Sequence, residues 1–172
     1  MNQFEELNRS HNRAGFDCGV EELNIFLKHL ARQNFKKGLS RTFVLTKKEI
    51  PKEILGFYTL SIFEINGQNL PEKFARKYKG NIPAVKIARL AVARGVQNQG
   101  IGSNMIIDAV HRTIKISENA GIIGLFVDAK NQGVKKYYRK FGFIPLQDNN
   151  LKLFLPLKTL LMLTKGNRVR PR

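Results

Sequence analysis

Apolar residues recur at Leu23, Phe26, Leu27 and Leu30, the i, i+3, i+4, i+7 spacing of a helix with one face on a core, which predicts a helix over Val20–Ala31. Arg41–Lys47 and Ile54–Ile65 are rich in β-branched and aromatic residues and flank the turn-prone Lys48–Lys52, with its Pro51, so they predict a hairpin. Leu70–Lys79 opens on Pro71 as a first helical residue and sets Phe74 four residues before Tyr78, which predicts a short helix. Val85–Ala93 reads as a strand, Arg94–Gly102 as a glycine-bearing loop, and Ser103–Ser117 as a helix with the stripe Met105, Ile106, Ala109, Val110 and Ile114. A strand over Ile122–Ala129 then precedes a helix over about Gln132–Phe141, which Gly142 is placed to end. Phe143–Leu146 and Leu151–Leu157 close the pattern as two strands around the polar Gln147–Asn150. Alternation of strand and helix argues for an α/β sheet with a right-handed crossover, and no repeat or low-complexity block marks a domain boundary.

At 172 residues with 42% apolar content, the chain suits one domain with a sizeable core. Lys plus Arg outnumber Asp plus Glu by 30 to 13, for a net charge of +17. That balance points to an anionic partner: a nucleic acid, a phosphorylated cofactor, an acidic protein or an anionic membrane surface. The charge is uneven, since the first 22 residues are net −3 and the other 150 therefore carry +20. A single cysteine, Cys18, excludes an internal disulfide and fits a reducing, cytoplasmic setting. His11, His29 and His111 have no ligand spacing, so no metal is expected. Met1–Arg13 lacks the apolar run of a secretion signal, and Lys152, Pro156 and Lys158 break the greasiest stretch, Leu151–Leu163, so no membrane span is expected. Lys165–Arg172 carries Lys165, Arg168, Arg170 and Arg172 without an acid and reads as a mobile basic tail.

Candidate chemistry concentrates where the strand Arg89-Leu90-Ala91-Val92 runs into Gln97-Asn98-Gln99-Gly100-Ile101-Gly102-Ser103 and a helix follows. Main-chain N–H groups of a glycine-bearing loop at the positive end of a helix can hold a pyrophosphate, and a Cβ there would keep phosphates away. Glycines between a strand and a helix also serve simply to turn the chain. The loop is no Walker motif, since no Gly-Lys-Ser/Thr follows, and its spacing is not the Rossmann fingerprint.

Residue by residue, Gln97-x-x-Gly100-x-Gly102 after a strand resembles the Gln/Arg-x-x-Gly-x-Gly/Ala acyl-CoA signature of the GNAT superfamily of N-acetyltransferases. Asn131 and Tyr137-Tyr138-Arg139-Lys140-Phe141-Gly142-Phe143 resemble the superfamily's later helix with its Phe-Tyr-x-x-x-Gly-Phe ending. His11–Leu27, Gly56–Leu60, Arg89–Val92 and Leu153–Leu157 extend the likeness to the GNAT toxins of bacterial type II toxin–antitoxin modules, over about residues 8 to 160. The resemblance implies a mixed α/β GNAT domain over 1–164, a central sheet with flanking helices, and acetyl-CoA as co-substrate. Leu90, Ala91 and Val92 would offer their main chain to the pantetheine arm and thioester. Gln97 to Ser103 would hold the pyrophosphate, Asn131 would meet the cofactor arm, and Tyr138 would protonate the leaving thiolate. Ala93 replaces the acid common after the Leu-Ala-Val strand, and Tyr137 replaces the phenylalanine before the tyrosine.

Periodicity alone gives Tyr138 a second reading, because Val134, Tyr137, Tyr138 and Phe141 form a full helical stripe and a core aromatic explains it. Glu64 and Asp128 lie near strand ends, where solvation accounts for them, and neither marks itself as a general base. An α-amine, with a pKa of about 7.7–8.0, is partly neutral near pH 7 and does without one, whereas a lysine amine at about 10.4 does not. Polycationic acceptors would be repelled by this surface. A charged tRNA offers both phosphates and an α-amine, and the toxin-like family acetylates that amine, so the resemblance implies aminoacyl-tRNA as acceptor, a cognate antitoxin as partner and the option of a homodimer. Arg32, Lys36, Lys37, Arg41, Arg76, Lys77, Lys79, Lys86, Lys135, Lys136, Arg139 and Lys140 are candidates for the tRNA track. Arg89 reads equally as structural or as lining the acceptor side. Two alternatives stand beside this reading: acetylation of protein N-termini or small amines without RNA, and a non-enzymatic basic RNA-binding protein.

Overall fold

The computed structural model describes residues 1–165 and contains seven strands in one mixed sheet, ordered β1-β2-β3-β4-β5-β7-β6. These are β1 (Asn2–Glu6), β2 (Arg41–Lys47), β3 (Gly56–Asn66), β4 (Asn81–Val92), β5 (Gly124–Asp128), β6 (Ile144–Pro145) and β7 (Lys152–Pro156). The α-helices are α1 (Glu21–Ile25), α2 (Ala31–Lys36), α3 (Glu72–Ala75), α4 (Ile101–Ser117), α5 (Gln132–Arg139) and α6 (Leu157–Lys165). β4 and β5 run parallel with α4 between them in sequence, while β1/β2, β2/β3, β5/β7 and β6/β7 pair antiparallel. Parallel neighbours need such a crossover, which explains why a long helix separates these two strands.

The described residues fold as two compact units, each built from two sequence segments: Met1–Ser61 with Ala88–Ala109, and Ile62–Ile87 with residues 110–165. The first unit buries Leu7, Phe16, Phe26, Leu27, Val44 and Phe57 together, with Phe16 meeting Phe57 edge-on at 5.4 Å between ring centroids. The second buries Ile65, Leu70, Ala84, Ile123, Phe126, Leu146 and Phe154. Phe126 stacks on Phe154 at 4.6 Å, and Phe63 and Phe74 meet the two rings edge-on. Aromatic pairs of this kind add about 0.5–1.5 kcal/mol each beyond the area they bury.

The hairpin, α4, β5 and α5 stand within two residues of where periodicity predicts them, β4 starts four residues earlier at Asn81, the strand read over Phe143–Leu146 is only Ile144–Pro145, and five further local readings change. The first helical stretch continues to Lys36 through a π-helical turn, Phe26–Leu30, in which Ala31 N–H bonds the Phe26 carbonyl. That i→i+5 bond inserts one residue per turn, so Ala31 faces the core at 1% exposure and the predicted core residue Leu30 is turned out to 42%. Only Glu72–Ala75 of Leu70–Lys79 is α-helical, and Pro71 precedes it as the cap. α6 occupies a stretch whose first residue was read as strand, with Pro156 stopping β7 just ahead of it. β1 forms from the polar segment NQFEE, which pairs with β2 from Asn2↔Lys47 to Glu6↔Phe43. Finally, the tail expected from Lys165 begins on the last residue of α6, and the rest of it lies outside the described residues.

Candidate active site

In the first unit, β4 ends at Val92, a short 3-10 turn spans Arg94–Val96, and the exposed loop Gln97–Gly100 leads into α4. Asn98 and Gly100 both take left-handed backbone conformations, with φ of +61° and +79°. A Cβ on Gly100 would meet nothing within 4 Å, so the loop faces open space and is lined there by main chain alone. The helical bonding starts late: Asn104 N–H reaches the Gly100 carbonyl at 3.1 Å, which leaves the amides of Gly100, Ile101 and Gly102 at the head of the 17-residue helix. No acidic side chain sits in the first turn of α4 to neutralise its positive end. Ile101, Met105 and Ile106 are buried and fix the helix from below. Such a cradle fits a diphosphate.

Gln97 works through its side chain. Its amide nitrogen donates to the Val92 and Cys18 carbonyls, both at 3.0 Å, tying the loop to the end of β4 and to the segment before α1. The Gln97 side chain thus ties the loop down at two points, a contact that the sequence motif alone did not indicate. On β4, Leu90 and Val92 are half-buried and Ala91 is buried at 5%. The ladder joining β4 to β5 runs from Val85↔Leu125 to Ile87↔Val127, and β4 continues past it to Val92. The main chain of Leu90–Val92 thus lies beyond that ladder.

In the second unit, Asn131 is the N-cap of α5, its side-chain oxygen accepting from Val134 N–H at 3.0 Å. Tyr138 is the buried tyrosine of α5 at 6% exposure, packed edge-on against Phe143 at 5.5 Å and Tyr137 at 5.8 Å. Tyr137 is half-buried and turns its ring to Phe141 at 5.4 Å. Burial, and to a smaller degree the neighbouring Tyr137, push the Tyr138 phenol well above the ordinary tyrosine value. The hydroxyl thus stays protonated throughout the neutral range and is a donor.

Among the carboxylates, Asp128 is ion-paired to Lys86 at 2.6 Å. With Glu64, Asp148 and the Phe63 and Phe126 rings, this pair lines a cavity of about 250 Å³ in the second unit. Three of the tRNA-track candidates make ion pairs within the chain: Arg41 with Glu6 at 2.8 Å and Arg76 with Glu72 at 2.6 Å, both pairs on the surface, in addition to Lys86. Lys36, Lys37, Lys136, Arg139 and Lys140 are exposed and make no ion pair among the described residues. Arg89, half-buried on β4, lays its guanidinium over the Phe26 ring at 3.9 Å from the centroid. No sequence signal links two residues so far apart in the chain.

A mixed sheet whose two parallel strands are separated in sequence by a helix with an open, glycine-turned loop at its head is consistent with an acyl-CoA-dependent acyltransferase, and the family comparison decides the class. The model of the acetyltransferase (GNAT) domain family matches residues 38–145, and the chain belongs to that family. A probable toxin TacT of Sinorhizobium fredii (strain NBRC 101917 / NGR234) is 29% identical over 159 residues, 87% of each chain. A tRNA-acetylating toxin of Mycobacterium tuberculosis (strain ATCC 25618 / H37Rv) is 28% identical over 143 residues, 83% of this chain and 84% of its own. Among solved structures, AtaT complexed with acetyl-methionyl-tRNAfMet superposes with a TM-score of 0.87 at 32% identity, covering 95% of this chain and 99% of that one. A tyrosine-to-phenylalanine variant of AtaT bound to the C-terminus of the antitoxin AtaR and acetyl-CoA gives 0.79 at 33%, covering 96% and 99%. No described helix is long and apolar enough to cross a membrane.

Proposed function

We propose that this chain moves the acetyl group of acetyl-CoA onto the α-amine of an aminoacyl-tRNA and so acts as a toxin that blocks translation, held in check by a partner antitoxin. The observation that carries the reading is the open, unneutralised cradle at the head of α4 in a chain that resembles a tRNA-acetylating toxin over most of its length. AtaT, similar over nearly its whole length, is complexed in one structure with an acetylated aminoacyl-tRNA and in another with acetyl-CoA and antitoxin. The net charge of +17 suits a polyanionic acceptor.

The assigned roles follow from the chemistry of each group. Acetyl-CoA supplies the acyl group as an activated thioester. The loop from Gln97 to Ser103 grips its pyrophosphate, chiefly through the main-chain amides of Gly100, Ile101 and Gly102 at the helix head, and Leu90, Ala91 and Val92 hold the arm by main-chain hydrogen bonds. An N–H in that segment stabilises the oxyanion that forms as the amine attacks, the kind of donor worth about 3–4 kcal/mol elsewhere. Tyr138 gives its proton to the leaving thiolate. Asn131 fixes the start of the helix that carries Tyr138 and meets the cofactor arm. No carboxylate is assigned as base, because an α-amine near pH 8 supplies enough neutral nucleophile. The acetyltransferase domain is assigned to 1–164 with a basic tail after it, and the reaction belongs where charged tRNA is found, in the cytoplasm.

Incubation with radiolabelled acetyl-CoA and total charged tRNA tests the reading. Label on an aminoacyl-tRNA, released as an N-acetyl amino acid by mild base, supports it; label on protein alone overturns the RNA assignment.

A further inference from the structure

We infer that the Arg89 guanidinium binds the 5′-phosphate of the acceptor's terminal nucleotide and thereby positions the esterified α-amine for attack. This rests on the reading that aminoacyl-tRNA is the acceptor.

Several observations within the first unit carry the inference. Arg89 immediately precedes the Leu90–Val92 segment on β4, so its side chain springs from the strand that is to hold the thioester. Its guanidinium carbon lies over the Phe26 ring, 3.9 Å from the ring centroid. That ring is itself packed in: Phe26 is 1% exposed and stacks on Phe57 at 6.2 Å with 22° between planes, and Phe26 opens the π-helical turn. Turns of this kind occur often at functional sites.

What Arg89 lacks is as telling. Arg13 donates to the Lys28 carbonyl at 2.8 Å, Arg41 pairs with Glu6, Arg76 with Glu72, and Arg94 lies 3.6 Å from Asp17. Arg41 also stacks on an aromatic ring, Phe35, and still has its carboxylate. Arg89 is half-buried, yet among the described residues its guanidinium makes neither a hydrogen bond nor an ion pair. Removing a cation from water without pairing it costs free energy that an anionic ligand recovers. A guanidinium that meets a ring through its face keeps its in-plane N–H fork for a ligand, the geometry that receives two oxygens of one phosphate. In an aminoacylated 3′ end the carboxyl is esterified, so the anion nearest the amine is the phosphate of that same nucleotide.

The experiment measures kcat/KM for charged tRNA against salt concentration in the wild type and in Arg89→Met, which keeps the apolar stem over Phe26 and removes the charge. One lost phosphate contact to a single-stranded end makes the slope of log kcat/KM on log salt shallower by about 0.7. Loss of a charge-assisted bidentate contact lowers kcat/KM roughly 10- to 100-fold at low salt, with coenzyme A affinity by calorimetry unchanged. An unchanged salt slope overturns the inference, whatever happens to the rate, because a merely structural arginine leaves the phosphate count intact. Should Arg89→Met give no heat with coenzyme A, Arg89→Lys decides instead: the retained charge keeps the slope while loss of the fork costs several-fold in kcat/KM, and wild-type kcat/KM in that variant overturns the assignment. A wild-type enzyme that labels no charged tRNA refutes the function itself, which is a different failure.

Discussion

Tyr138→Phe removes one oxygen from a packed ring and separates the two explanations of that residue. The ring is 6% exposed and meets Phe143 edge-on at 5.5 Å and Tyr137 at 5.8 Å. No hydrogen bond to the hydroxyl is made among the described residues, so phenylalanine fills the same volume and breaks no internal bond. The expected stability change is within about 1 kcal/mol, which for a chain of this size is about 2–4 °C in Tm. Activity tells the other half. Loss of a general acid costs about 10² to 10⁴ in turnover, about 2.7 to 5.4 kcal/mol at 1.36 kcal/mol per decade. The assay is steady-state acetyl transfer alongside calorimetry with coenzyme A, whose affinity stays at the wild-type value. The pH profile adds a sign. Burial raises the phenol's pKa, so Tyr138 remains the protonated donor as pH climbs through the amine's range of about 7.7–8.0. Wild-type kcat/KM therefore rises through that range and levels off, and the variant follows the same limb to a lower plateau. Turnover within a few-fold of wild type, or a wild-type rate that falls between pH 8 and 9, would refute the acid role and leave Tyr138 a core aromatic.

Other perturbations address the cradle and the fold. Gly100→Val forces a β-branched residue to φ of +79° and fills the open space above the loop, so coenzyme A affinity drops at least tenfold by calorimetry while the melting temperature falls only a few degrees. Gln97→Leu deletes two hydrogen bonds, to the Val92 and Cys18 carbonyls, and lowers stability by roughly 1–3 kcal/mol together with coenzyme A affinity; unaltered affinity would show that the clamp does not shape the cradle. Tyr58→Phe removes a donor to the Asp108 carboxylate and lowers the urea midpoint by the equivalent of roughly 1–3 kcal/mol, with coenzyme A binding as in wild type.

Much of the architecture is legible because local periodicity and tertiary demand coincide. In α4, Met105, Ile106, Ala109 and Val110 all point where their spacing predicts, although the fully buried Thr113 escapes a purely hydrophobic reading. β1 escapes it for another reason: four of its five residues are polar, and it becomes a strand through its ladder with β2 and the contact of Phe4 with the Tyr58 ring. α6 left a signal in the apolar Leu157, Leu160 and Leu161 after Pro156, but a short apolar run fits a buried strand equally well.

The order of residues fixed the glycine-turned loop, the tyrosine four residues ahead of Gly142 and the sign of the charge, because each depends on neighbours close in the chain. Only the folded structure decided which of two adjacent tyrosines is buried, that Gln97 spends its amide on two carbonyls, that Leu30 is turned outward, and that Arg89 lies over Phe26 with no ion-pair partner among the described residues. Those are outcomes of packing and solvation, energies that exist only once segments distant in sequence have shut water out from between them.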